Sequence, residues 1–166
     1  MSVLITGASG YLGGSLLAQL HNTVLPEHKE IYALVRSQDQ AEAVKKYGAR
    51  PLIFASQDEN SVIKSIVDAQ IFVIYFLVDA MNSDMQIPMI KVLAEVKKQT
   101  GREVHFLHTS GAKIFSEHAG MPIDRTLPDT DPRMYDLQKS SHAPHQLLAQ
   151  VSSQAIGEYK MDNLIV

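Results

Sequence analysis

Three glycines near the start of the chain are spaced for chemistry on a phosphate. The run Val3-Leu4-Ile5-Thr6-Gly7-Ala8-Ser9-Gly10-Tyr11-Leu12-Gly13 passes from an apolar strand through a glycine loop into a helical pattern. In that context Gly7 makes a tight turn, Gly10 lets the backbone approach a pyrophosphate, and Gly13 lets helix and strand pack closely. The free N–H groups and dipole at the helix start then favour negative charge without any lysine. Ser9, Tyr11 and Leu12 lie inside this loop and helix start and belong to the same expected contact set. The ligand expected from this constellation is a nicotinamide dinucleotide.

The end of the second apolar run carries the choice between the two dinucleotides. An acidic residue there would bond the adenosine ribose 2′-hydroxyl, whereas arginine accommodates a 2′-phosphate. The run Ile31-Tyr32-Ala33-Leu34-Val35 ends in Arg36-Ser37. Arg36 can pair with the phosphate and Ser37 can add a hydrogen bond, so NADP(H) is expected over NAD(H). Asp39 lies beyond the position where the acidic residue would act.

These residues need a scaffold, and the rest of the chain supplies its rhythm. Valine- and isoleucine-rich runs at about 2–6, 31–35, 51–55, 70–77, 103–109 and 162–166 alternate with helical patterns at 11–20, 40–47, 60–67 and 84–99. The middle runs are apolar without alternation, as strands covered on both faces must be. The pattern predicts an α/β doubly wound parallel sheet of six strands, a Rossmann fold with helices on both faces in three layers. Between 111 and 134 the periodicity fails, and Gly120, Pro122, Pro128 and Pro132 mark a long loop. A last helix is expected from Pro144 to about Ile156.

Composition narrows the function classes. The 166 residues suit a single domain, and their formal charge of −3 lacks the basic footprint of a nucleic-acid binder. There is no cysteine, which removes thiolate nucleophiles and cysteine metal sites. Met1-Ser2 runs straight into the first strand with no basic leader, so a cytoplasmic protein is expected. The apolar stretch 71–78 is far short of the ~20 residues of a membrane-spanning helix, so no membrane partner is expected. His105 and His108 are three apart on one strand and point to opposite faces, which argues against a metal site. Met81, Met85 and Met89 fall at four-residue spacing and read as a core stripe.

The segments Thr6-Gly7-Ala8-Ser9-Gly10-Tyr11-Leu12-Gly13, Ala33-Leu34-Val35-Arg36 and His108-Thr109-Ser110-Gly111-Ala112 resemble the short-chain dehydrogenase/reductase superfamily in its extended or atypical branch. The chain is similar to epimerase/dehydratase-like proteins and to nitrogen-metabolite-repression regulator-like (NmrA-like) proteins. The resemblance implies a serine after the fifth strand and a Tyr-x-x-x-Lys pair, which here are Ser110, Tyr135 and Lys139. A phenol titrating near ~10 serves as a base at neutral pH only if a cation stabilises its phenolate, and one helical turn brings Lys139 beside Tyr135. Asp131-Pro132 before the pair and Pro144 after it put these residues on a short turn or in the loop rather than in one long helix.

Other positions depart from the family pattern. The aspartate that the family offers to the adenine after the third strand is represented by a displaced Asp58, with Ser56 or Gln57 as substitutes. After the fourth strand the residues stay bulky until Ala80, where the family has small ones, which narrows the cleft or shifts the strand's end. The sequence stops at Val166, and the expectation is one NAD(P)-binding domain, 1–166, without the family's C-terminal substrate-binding lobe.

Two functions follow from the resemblance. One is an NADP(H)-dependent oxidoreductase or epimerase-type enzyme acting on a small carbonyl or hydroxyl substrate. The other is a non-catalytic, redox-sensing dinucleotide-binding regulator or a truncated remnant. Homodimers through helices beside the fourth and fifth strands are implied by the resemblance alone.

Overall fold

In the computed structural model the described residues are 2–23, 30–53, 59–79, 84–109, 115–122, 124–128, 130–134, 136–137 and 163–165. Strands β1 (Ser2–Ile5), β2 (Glu30–Val35), β3 (Arg50–Ile53), β4 (Ile71–Phe76), β5 (His105–His108) and β6 (Asn163–Ile165) alternate with helices α1 (Tyr11–His21), α2 (Gln38–Lys45), α3 (Glu59–Asp68) and α4 (Gln86–Thr100). All strand pairs are parallel, and the sheet order is β3-β2-β1-β4-β5-β6. The chain winds outward from β1 to β3, then returns through α3 to lay β4 against the other side of β1. That reversal opens a crevice at the carboxyl ends of β1 and β4, where open α/β sheets bind ligands.

Register explains why the central strands carry no polar alternation. Leu4 lies beside Tyr32 and Ile74, and Ile74 lies beside Phe106, so one face of four neighbouring strands presents a continuous apolar row. Leu4, Ile74 and Phe106 are fully buried, and so is Ile5 of the opposite face. The Phe76 and Phe106 rings stack at 5.9 Å between centroids, adding a directional contact to the area they bury.

Helix α4 buries Met89, Ile90, Val92, Leu93 and Val96, a stripe at helical spacing. It ends where Gly101 takes φ +67 and donates its N–H to the Lys97 carbonyl at 2.7 Å, a left-handed stop that glycine adopts without strain. The expected methionine stripe divides here. Met89 is buried, Met85 is 41% exposed at the helix start, and Met81 lies outside the described residues.

The other boundaries move for local reasons. Helix α2 begins at Gln38, two residues earlier than the periodicity predicts, because the Ser37 hydroxyl accepts the Gln40 N–H and caps it. Strand β3 is an outer strand of the sheet, and it tolerates Pro51 because an edge position does not need that N–H. The expected long loop contains a 3₁₀ turn at Glu117–Ala119, and Met121 just after it is buried. The helix expected at 144–156 lies outside the described residues.

Candidate functional site

The glycine loop sits at the reversal between β1 and β4, and its glycines answer to close contacts. Gly7 has φ +63, and a Cβ there would lie 2.9 Å from the Leu77 carbonyl oxygen just after β4. A Cβ on Gly13 would overlap the Gly7 carbonyl oxygen, so α1 could not approach the loop this closely with any other residue. The Gly10 N–H donates to the Gly7 carbonyl at 2.9 Å and closes the turn.

Helix α1 is left open at its start. Gly10 is its cap residue and offers no side chain, and the first turn holds no acidic residue. By helix geometry the N–H groups of Tyr11, Leu12 and Gly13 have no acceptor within the helix. Tyr11 is 95% exposed, and Ser9, Gly10 and Leu12 are exposed beside it. Capped α2 is the contrast within the same molecule. An uncapped first turn at a sheet crevice fits the phosphates of a dinucleotide, because donors and dipole converge there with no side-chain cap among the described residues.

A fully buried threonine, which sequence reasoning passed over, sets the position of this loop. The Thr6 hydroxyl accepts the Leu77 N–H at 2.9 Å and donates to the Tyr75 carbonyl at 3.3 Å, while the Thr6 N–H reaches the same carbonyl at 3.0 Å. These bonds continue the β1–β4 pairing past the last ladder residues and hold the two chain ends at a fixed separation. A Cβ on Gly7 would meet the Leu77 backbone first and the Val78 side chain next, at 3.5 Å.

At the end of β2, Arg36 is exposed and its backbone N–H donates to the Gln40 side-chain oxygen at 2.8 Å. Among the described residues no carboxylate pairs with its guanidinium. Ser37 does a structural task as the α2 cap, and its hydroxyl proton is still available to a ligand oxygen. Asp58, with Ser56 and Gln57, lies outside the described residues.

Ser110, Tyr135 and Lys139 also lie outside the described residues, but their flanks are described. Just before Ser110, the Thr109 N–H donates to the Phe76 carbonyl at 3.2 Å, extending β5 along β4. His108 is 4% exposed against Phe76, its Nδ1 atom has no hydrogen-bond partner among the described residues, and burial pushes its pKa down, which keeps the ring neutral.

Asp131 begins a helical turn on the other flank. Its carboxylate accepts the Arg133 backbone N–H at 2.9 Å and two side-chain N–H groups of Arg133 at 3.0 and 2.9 Å. Pro132 follows at a position where a missing N–H is harmless, and the Leu137 N–H then donates to the Arg133 carbonyl at 2.9 Å. Asp131-Pro132 therefore starts a turn. The Arg133 hydrogen bonds hold the Asp131 carboxyl down to about 2.

The geometry has counterparts among known proteins. Residues 5–74, which run from the last residue of β1 through the glycine loop, β2 and β3 into β4, match the NAD-binding family model described as male sterility protein. No curated protein sequence matches the chain. Among solved structures, one titled for pinoresinol-lariciresinol and phenylcoumaran benzylic ether reductases is 17% identical with a TM-score of 0.54, covering 97% of this chain and 47% of that one. AtPrR2 with NADP+ and (+)pinoresinol is 18% identical with a TM-score of 0.53, covering 96% and 47%. The Escherichia coli NADPH-dependent quinone oxidoreductase complexed with NADPH is 20% identical with a TM-score of 0.50, covering 90% and 45%. The chain spans less than half the length of these structures. The likeness is one of fold, and that fold is the Rossmann type of the NAD(P)-binding reductases.

Proposed function

We propose that this chain, whose N-terminal part is of the extended short-chain dehydrogenase/reductase type, binds NADP(H) in preference to NAD(H) and serves a reductase or epimerase-type reaction on a small carbonyl or hydroxyl substrate. The observation that carries the reading is the uncapped start of α1 behind Gly7 and Gly13, with Arg36 exposed at the end of β2 and without a carboxylate partner among the described residues. The N–H groups of α1 take the pyrophosphate, and Arg36 with Ser37 takes the 2′-phosphate. Two of the similar structures hold NADP+ or NADPH, which favours the same choice here.

The bound cofactor supplies hydride transfer at a carbon of the substrate. In this reading Tyr135 holds or releases the proton at the substrate oxygen, Lys139 keeps its phenol titratable near neutral pH, and Ser110 hydrogen-bonds the same oxygen. Strand β5 carries the chain to Ser110, and the capped turn at Asp131 carries it to Tyr135.

Calorimetric titration of the folded chain with NADPH and NADH, repeated on Arg36→Ala, tests the cofactor site. Tighter NADPH binding that loses its preference in the variant supports it, and failure to bind either dinucleotide sinks it. Consumption of NADPH with a panel of small ketones and quinones, compared between the parent and Tyr135→Phe, then separates the enzyme from a non-catalytic dinucleotide-binding regulator.

A further inference from the structure

At the amino ends of the strands, opposite the dinucleotide crevice, lies a polar cleft of about 280 Å³. Register builds it. Tyr32 of β2 pairs with Arg50 of β3, and Ser2 pairs with Glu30, so these side chains rise from one face of the sheet, with Phe72 of β4 beyond them. The last residue of α3, Asp68, forms one wall, and the segment before β5 brings Arg102 to another.

The charges of this cleft are arranged in two different ways. Arg50 is committed, because its guanidinium meets Glu30 at 2.7 Å, and Glu30 also accepts the Tyr32 hydroxyl at 2.6 Å. Arg102 is not committed to a carboxylate among the described residues. Its guanidinium carbon lies over the Phe72 ring, 4.4 Å from the centroid, in a cation–π contact. Asp68 likewise has no cationic partner among the described residues. Two opposite charges thus line one cleft without pairing with each other, while a neighbouring pair in the same cleft does close.

We infer that this cleft binds a small zwitterion of amino-acid type, its carboxylate on the guanidinium fork of Arg102 and its ammonium on Asp68. A planar guanidinium held on a ring is preorganised for a carboxylate, and a carboxylate wall is complementary to an ammonium. The four charged groups, Glu30, Arg50, Asp68 and Arg102, sum to no net charge, which suits a ligand that is itself neutral overall. The volume falls just below the usual ligand range of roughly 300–1,000 Å³, which suits a ligand of amino-acid size. This site stands apart from the proposed cofactor site and does not rest on it.

The test is calorimetry on the folded chain with glycine, β-alanine, 4-aminobutyrate and 6-aminohexanoate, with acetate and methylammonium as single-charge controls. Saturable binding that peaks at one chain length is expected, because the optimum measures the gap between Arg102 and Asp68. Asp68→Asn and Arg102→Gln should each weaken it by about tenfold or more, and Arg36→Ala should leave it unchanged. Asp68→Asn keeps the side-chain shape, so it stays informative if Arg102→Gln loosens the packing on Phe72. Absence of saturable binding across the series overturns the proposal. So does acetate binding as tightly as the best zwitterion, or Asp68→Asn binding undiminished.

Discussion

Gly13 on α1 lies so close to the carbonyl of Gly7 that a single added carbon would overlap its oxygen. The first turn of the helix and the first turn of the loop therefore share one packing contact, and the loop shape depends on both residues. Gly13→Ala must push α1 away from the loop. The expected cost is about 1–3 kcal/mol of stability, as for overpacked sites, with a parallel loss of NADPH affinity. Urea unfolding midpoints and calorimetry read the two effects separately, and an unchanged midpoint would refute the shared contact.

Thr6 offers a different perturbation of the same place. Thr6→Val keeps the volume but removes the oxygen that accepts the Leu77 N–H. A donor left partly buried without an acceptor costs about 1–3 kcal/mol. Chemical denaturation should show that loss, and hydrogen exchange at the Leu77 amide should accelerate relative to amides inside α4.

His108 makes the fold sensitive to mild acid. Its folded-state pKa is lowered by burial from an unfolded value near 6.5, so the native state binds fewer protons than the unfolded chain. The stability linked to the neutral ring is fully present above about pH 6.5 and is lost as pH falls from there through the lowered folded value. Unfolding midpoints measured at about pH 7.5 and 5.5 should therefore separate, and His108→Leu should reduce the separation. Equal pH dependence in the parent and the variant would contradict the assignment.

Asp131 titrates at the other end of the scale. Its carboxyl is held to about 2 by the Arg133 side chain and backbone, below the ordinary value. The cap is intact above about pH 4, the unfolded range of a carboxylate, and is lost as pH falls through the folded value. Carbon-detected NMR titration of Asp131 should place its midpoint well below the ordinary carboxylate value of 3.8, and Arg133→Gln should move it upward. A midpoint unaffected by Arg133→Gln would mean the paired geometry does not persist in solution.

The parts of this architecture that were legible in the sequence are those written in local pattern. Apolar runs without alternation announced buried parallel strands, and Gly7, Gly10 and Gly13 between a strand and a helix announced the loop. What escaped depends on register between distant segments. That Thr6 faces Leu77 follows from how β1 lies against β4, some 70 positions apart in the chain, and periodicity within β1 carries no sign of it. His108 reads as an ordinary member of an apolar strand until its pairing with Phe76 puts it under cover. Asp131-Pro132 is a local signal that was available, since an aspartate before a proline is a helix start as readily as a break. The spacing of Met85 and Met89 suggested one shared environment, but Met85 falls just outside the helix and turns to solvent.

Pro51 bears on the protein's behaviour in concentrated solution. An outer strand offers a row of unpaired donors and acceptors on which a strand from another molecule can template. On β3 that row lacks the proline N–H, and Arg50 sets a charge beside the gap. This border of the sheet is a poor template for edge-to-edge growth, and fibrous self-association that begins there is disfavoured from within the sequence of β3 itself.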